Sequence, residues 1–189
     1  MPVEVEVQDY LFTPEDTDLP DKKPGFRMNI LHDIESVWWA FAWTFFYYMD
    51  KDCHPVDLAA QQRKFQAAFP GTVYRATRQN FFISRLSLNA ACNTLSRMCK
   101  LVCSELPTFA ATLRKSYRKA EESYPMINID DILLEDVHGK ASSYIEDSLV
   151  KAGDIRLCPV HTLLGNMRPK EEHEASPTPS PKTKRPHHG

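Results

Sequence analysis

Between Val37 and Met49 every residue except Thr44 is apolar or aromatic, and neither Gly nor Pro interrupts the run. It follows Leu31-His32-Asp33-Ile34-Glu35-Ser36, which has the polar character of a helix start. Asp33 or Ser36 is predicted to cap the first free amides, and the carboxylates of Asp33 and Glu35 stand near the positive end of the helix dipole. The apolar residues go all the way round, which predicts a helix buried on every side, in protein or in lipid. Length separates the two. At about 1.5 Å per residue the run covers roughly 20 Å, against about 30 Å for a bilayer core. Asp33 and Glu35 close one end and Asp50, Lys51 and Asp52 the other. The expectation is a central buried helix and no membrane span.

The rest of the composition fits a globular chain with appendages. The 189 residues are 42% hydrophobic with a formal net charge of -2, which points to neither nucleic acid nor membrane. Gly is scarce at 6 and Pro common at 14, disfavouring a turn-rich sheet protein. An acidic N-terminus without an apolar segment does not read as a signal peptide. The cysteines Cys53, Cys92, Cys99, Cys103 and Cys158 are odd in number, and three fall within one predicted helix. Reduced thiols in an intracellular protein, cytoplasmic or nuclear, are expected rather than a disulfide framework.

Val3, Val5 and Val7 alternate with Glu4, Glu6 and Gln8, the pattern of a short strand. Residues 13–25 read as an exposed polar loop. Val56 to Phe69 reads as a helix buried through Leu58, Phe65 and Phe69 and stopped by Pro70-Gly71. Thr77 to Ile83 reads as a short helical piece. From Leu88 to Leu106 helical spacing places Leu88, Ala91, Cys92, Leu95, Met98, Cys99, Val102, Cys103 and Leu106 on one face. Pro107 suits the first turn of a further helix, with Phe109, Leu113, Tyr117, Ala120 and Tyr124 inward and Arg114, Lys115, Arg118 and Lys119 outward. Asp130 and Asp131 offer a cap for a weaker helical pattern, interrupted at Gly139 and running to Val150. From Asn166 no apolar pattern survives, and a disordered tail is expected. In it Ser176, Thr178 and Ser180 each precede Pro, the pattern of proline-directed phosphorylation, and Lys182 to Arg185 form a short basic tract.

The order of three segments resembles the fungal-type protein kinase family: Met1-Pro2-Val3-Glu4-Val5, then His32-Asp33-Ile34-Glu35-Ser36-Val37-Trp38-Trp39, then Tyr117-Arg118-Lys119-Ala120-Glu121. The resemblance covers about residues 1 to 125, and the His-Asp-x-Glu-Ser-x-Trp-Trp part is the specific one. It implies a mainly α fold, the helical C-lobe of a kinase-like domain. Residues 1–25 would form the activation-segment end and an exposed loop, 26–125 the helical core, 126–165 a helical extension and 166–189 the tail. It also implies structural roles for two residues. Glu4 would close the activation segment, where the family pairs this glutamate with a buried arginine; no such arginine is identifiable here. Asp33 would start the central helix and accept backbone hydrogen bonds from the catalytic loop.

Phosphoryl transfer needs a Gly-rich loop, a lysine on the phosphates, a catalytic aspartate and metal-binding Asp and Asn. The chain has no Gly-x-Gly-x-x-Gly, no Val-Ala-Ile-Lys-like strand, no His-Arg-Asp and no Asp-Phe-Gly. In the family these precede the segment that begins at Met1, so the chain reads as a truncated, pseudokinase-like C-lobe. ATP and magnesium are implied only for a complete family member. No catalytic, cofactor-binding or metal residue is assigned, and this chain is expected to transfer no phosphate. With the catalytic loop missing, apolar surface around Trp38, Trp39 and Phe41 is expected to be open to a protein partner.

The alternative reading is a non-catalytic helical protein–protein interaction module. Two further signals have plain explanations. Residues 61–124 carry eleven Lys and Arg against three Glu, but without interleaved aromatics this reads as solvated helix faces rather than a nucleic-acid site. Cys99 with Cys103, and Cys158 with His161, have ligand-like spacings. A structural zinc site needs four converging ligands, so core thiols are the better reading.

Overall fold

The structure, a computed structural model, describes residues 1–13, 25–52, 57–69, 76–122, 124 and 126–167. The described part is mainly α-helical, with one short pair of strands. The central helix is α2, Ile30–Tyr47. Its cap is Asn29, not Asp33 or Ser36. Asn29 accepts from Leu31 N at 2.9 Å, and His32 Nδ1 accepts from Asn29 N at 2.9 Å, closing a capping box. Asp33 and Ser36 sit too far into the first turn to reach the free amides.

Three helices surround α2: α3 (Leu58–Ala68), α7 (Leu106–Glu121) and α8 (Asp131–Ala152). Leu31, Ile34, Trp38, Trp39, Ala42, Phe45 and Phe46 are buried among them. Asp33, Val37, Ala40 and Trp43 form an exposed stripe, so the helix is not covered on every side. These positions recur at helical spacing, and at the far end the Trp43 ring meets Phe65 of α3 and Tyr48. Trp38 and Trp39 are buried and Phe41 is half-buried. The exposed apolar surface therefore centres on Val37 and Trp43, one face round from the expected tryptophans.

The N-terminal Val/Glu alternation forms a helix, α1 (Val3–Val7), rather than a strand. Five residues do not distinguish the two periods, and tertiary contacts decide: the Val3 amide is captured by Glu35. Gln8 ends the helix at φ 53°, with its N–H donating to Glu4 O.

The predicted helix over 88–106 divides. Helix α4 (Ala76–Ile83) leads into α5 (Arg85–Cys92), and α6 (Arg97–Val102) follows. Thr94 Oγ1 donates to Ala91 O at 2.7 Å, and Ser96 Oγ accepts from Cys99 N at 3.4 Å, so side chains end one helix and cap the next. A 3₁₀ turn, Cys103–Glu105, joins α6 to α7. The apolar face survives the break: Leu88, Ala91, Cys92, Leu95, Cys99, Val102, Cys103 and Leu106 are all buried.

On α7 the predicted inward residues Phe109, Leu113, Tyr117 and Ala120 are buried, as is Tyr124 beyond its end. Lys115, Arg118 and Lys119 are exposed, but Arg114 is buried and its Nη1 donates to Phe82 O at 2.6 Å. The free carbonyl in the last turn of α4 draws this guanidinium inward.

Helix α8 is capped by Asp130, which accepts from Leu133 N at 2.7 Å, and it continues through Gly139. Leu133, Val137 and Ala141 join the same core as α2 and α7. The chain then returns to the end of α2. Strand β1 (Tyr48–Asp50) pairs antiparallel with β2 (Leu157–Pro159), Met49 opposite Cys158, and α9 (Val160–Met167) follows. Gln61 on α3 secures this end: its Nε2 donates to Phe45 O at 3.2 Å, Phe46 O at 3.3 Å and Tyr48 O at 2.9 Å. Helix α9 extends past Asn166, where the apolar pattern had run out. Residues 168–189, with Ser176, Thr178 and Ser180, lie outside the described residues, as do loop residues 14–24 and Cys53. No described helix is long and apolar enough to cross a membrane.

Candidate functional site

The most polar place in the interior lies where α1, the start of α2 and the end of α7 meet. Glu4, His32, Glu35 and Glu121 are each at most 1% exposed. Burying four titratable groups together is costly unless each is satisfied.

Glu35 is satisfied by donors alone. Its Oε1 accepts from Val3 N at 2.8 Å and from Trp39 Nε1 at 2.8 Å, and its Oε2 accepts from Tyr117 Oη at 2.7 Å. One carboxylate thus joins the chain start, the central helix and α7. Burial raises its pKa, while these three hydrogen bonds and then the neighbouring His32 oppose that rise. Burial and the Glu35 carboxylate together push the Tyr117 phenol well above its ordinary range, so it stays a donor.

His32 has a defined tautomer. Its Nδ1 faces the Asn29 amide, which can only donate, so the ring proton is on Nε2, 3.1 Å from Glu4 Oε2. Burial lowers the imidazole pKa, in keeping with a neutral ring. The contact is therefore a hydrogen bond from neutral His32 to Glu4, and the separation alone does not make it a salt bridge.

Glu4 Oε1 accepts from Leu11 N at 3.1 Å, and Glu121 Oε2 accepts from Phe12 N at 2.9 Å. The two carboxyl groups also meet each other. Glu121 Oε1 is buried with no donor facing it; a proton held on Glu121 and shared with Glu4 satisfies both. In agreement, burial pushes Glu121 up to about 9, with the Glu4 charge adding to the rise, and burial pushes Glu4 up to about 7. Four groups thus clasp residues 3–12 onto α2 and α7. Beside them Arg78 lies 4.3 Å over the Trp39 ring, 3.3 Å from Glu6 Oε2, and donates to Met1 O.

Of the residues singled out in the sequence, Glu4 lies at the centre of this clasp. Among the described residues its side-chain partners are His32 and Glu121. Asp33, next to His32, points the other way and is exposed on the open stripe of α2. The sequence reading gave Glu35 only a place near the helix dipole, Tyr117 only an inward position and Glu121 nothing, although all three stood within the segments quoted for the resemblance. The missed signal was the i, i+4 pair Tyr117 and Glu121, an acid beside an inward phenol on an otherwise apolar face.

The clasp has the chemistry of a fastening. Its polar atoms are taken up by backbone amides, by the Trp39 indole and the Tyr117 hydroxyl, or by each other. Among the described residues no group of three or more His, Cys, Asp and Glu is arranged to hold a metal ion, and the chain carries no Gly-rich loop for phosphates. No family model matches the chain, and neither the curated proteins nor the solved structures contain a match.

Proposed function

We propose that the chain is the C-terminal-lobe portion of a fungal-type protein kinase-like fold and is catalytically inactive as it stands. The observation that carries this reading is the clasp. The Pro2-Val3-Glu4-Val5 and His32-Asp33-Ile34-Glu35-Ser36 segments carry the resemblance, and they are bonded to each other through Glu4 with His32 and Val3 with Glu35. Asp33 stands on the open face of the helix, where a catalytic loop supplied by other residues has free access to it. In this reading the lobe holds the activation-segment end against the central helix and contributes no phosphoryl chemistry.

The test is the complete transcript through the region upstream of the Met1 codon, together with nucleotide titration of the purified chain. His-Arg-Asp-like and Asp-Phe-Gly-like segments in frame support the reading. A stop codon close upstream of Met1 removes it in favour of the second reading. Saturable binding of an ATP analogue to the present chain overturns its inactivity.

The second reading is a non-catalytic helical interaction module. It rests on the open stripe of α2, where Val37 is 41% and Trp43 37% exposed. Apolar surface of this kind marks a protein docking face when it is contiguous.

A further inference from the structure

Three connections meet at the end of the bundle where α2 begins: the residues after α1, the residues before α2 and the stretch between α7 and α8. Between them lies a cleft of about 570 Å³ whose lining includes Tyr10, Arg27, Met28, Asn29, Met126 and Ile129. Hydrogen bonds hold its walls. The Arg27 N–H donates to Tyr10 Oη at 3.1 Å, and the Asn29 N–H donates to His32 Nδ1 at 2.9 Å, so the cleft shares a wall with the clasp. On the α7–α8 connection the Asn128 N–H donates to Ala120 O at 2.9 Å.

The lining is of two kinds. Met28 is 66% and Met126 76% exposed, and unbranched thioethers on a surface adapt to the shape of what they touch. Ile129, half-buried, carries the apolar lining back to the core. The polar part is Arg27 and Asn29. No carboxylate lines the cleft, and among the described residues none is paired with Arg27. Asn29 Oδ1 is taken by the Leu31 amide, which leaves its Nδ2 to donate.

We propose that this cleft binds a small amphipathic carboxylate, a medium-chain acid whose head group pairs with Arg27 and Asn29 and whose chain lies on Met28, Met126 and Ile129. Its volume falls within the range of about 300–1,000 Å³ usual for small-molecule sites. The guanidinium fork of Arg27 matches a carboxylate with two parallel hydrogen bonds. The positive end of the α2 dipole lies beside it and favours the same sign of charge. An inorganic anion would leave the methionines bare, and an uncharged chain would leave Arg27 without its partner.

The test titrates octanoate into the full chain by calorimetry. Octanol and inorganic phosphate are the controls, one carrying only the chain and the other only the charge. Octanoate is expected to bind saturably, one per chain. Arg27→Gln is expected to raise its Kd roughly ten- to a hundredfold, the loss of a charge-assisted hydrogen bond, and Arg27→Lys to recover part of the affinity. Met126→Asp, which sets a negative charge in the lining, is expected to abolish binding. Both side chains are exposed, so neither change threatens the fold. Hydrogen exchange locates the site: octanoate is expected to slow the Arg27 amide and residues 126–129. No saturable binding overturns the proposal, as does binding that Arg27→Gln and Met126→Asp leave intact. Octanol or phosphate binding as tightly as octanoate overturns the amphipathic ligand. Protection that falls around Val37 and Trp43 instead puts the chain on the open stripe of α2 and overturns the cleft.

Discussion

Replacing Glu35 tests whether the clasp holds the fold together. In Glu35→Ala the Val3 amide, the Trp39 indole and the Tyr117 hydroxyl all lose their acceptor in a site that is 0% exposed. A buried polar group left unsatisfied costs about 1–3 kcal/mol. The Val3 amide and Tyr117 hydroxyl can regain part of this by local movement, so the expected total is about 3–6 kcal/mol, not the full sum. That is a large share of the roughly 5–15 kcal/mol that a domain has to lose. Glu35→Gln keeps the shape and one acceptor. Its amide faces Tyr117, whose hydroxyl turns to accept, and about 1–2 kcal/mol is expected to be lost. Urea unfolding followed by tryptophan fluorescence measures both, and exchange of the Val3 amide reports the local contact. Glu35→Ala also leaves a cavity, so Glu35→Gln, which keeps the volume, isolates the part that belongs to the hydrogen bonds. A loss under about 1 kcal/mol in Glu35→Ala, or equal losses in the two, refutes the reasoning.

The clasp also sets a pH dependence. Glu4 and Glu121 hold protons in the folded protein well above the 4.5 at which they ordinarily lose them, so the folded state binds more protons than the unfolded state between about 4.5 and about 9. Stability from these groups is fully present below 4.5 and is lost as pH rises through about 7 and about 9. His32, its pKa lowered by burial, acts in the opposite sense below its ordinary 6.5 and is silent above it. Between pH 7 and 9 the urea midpoint is therefore expected to fall, and Glu121→Gln to flatten that fall; a flat wild-type profile contradicts the shared proton. Gln61→Leu removes the donor to three carbonyls at the end of α2 and is expected to cost about 1–3 kcal/mol by thermal unfolding, with α3 still helical. Arg114→Met keeps the buried stem but leaves Phe82 O without its donor; a loss of about 1–2 kcal/mol is expected, and an unchanged Tm excludes the capping role.

The helices of the core were legible because their apolar spacing is strong. The apolar residues of the inward face of α7 were read as buried, and they are; the α2 run identified the axis of the fold. What the periodicity could not supply was polar detail. Asn29 caps α2 because its partner His32 is itself held by Glu4, a contact from 28 residues away that no local rule contains. Thr94 and Ser96 break an apolar face that looks continuous, since short side chains that bond to the backbone leave the periodicity intact. Arg114 was placed outward by its charge, and the carbonyl that draws it inward lies 32 residues earlier. Of the clasp, Glu4 was legible only through a family resemblance, and its described side-chain partners, an imidazole and a carboxylic acid, were not.

The clasp has a cost during synthesis. Phe12 waits for Glu121, 109 residues later in the chain. At about 5–20 residues per second, a ribosome delivers that residue roughly 5–20 s after the N-terminal segment has been made. Through most of that interval only His32 and Glu35 are there to hold Glu4 and Val3, and the alternation of Val3, Val5 and Val7 with Glu4 and Glu6 is the pattern of an unpaired strand edge. The alternating negative charges keep the nascent segment from pairing with its neighbours on the same message, until the last partner arrives and shuts them inside.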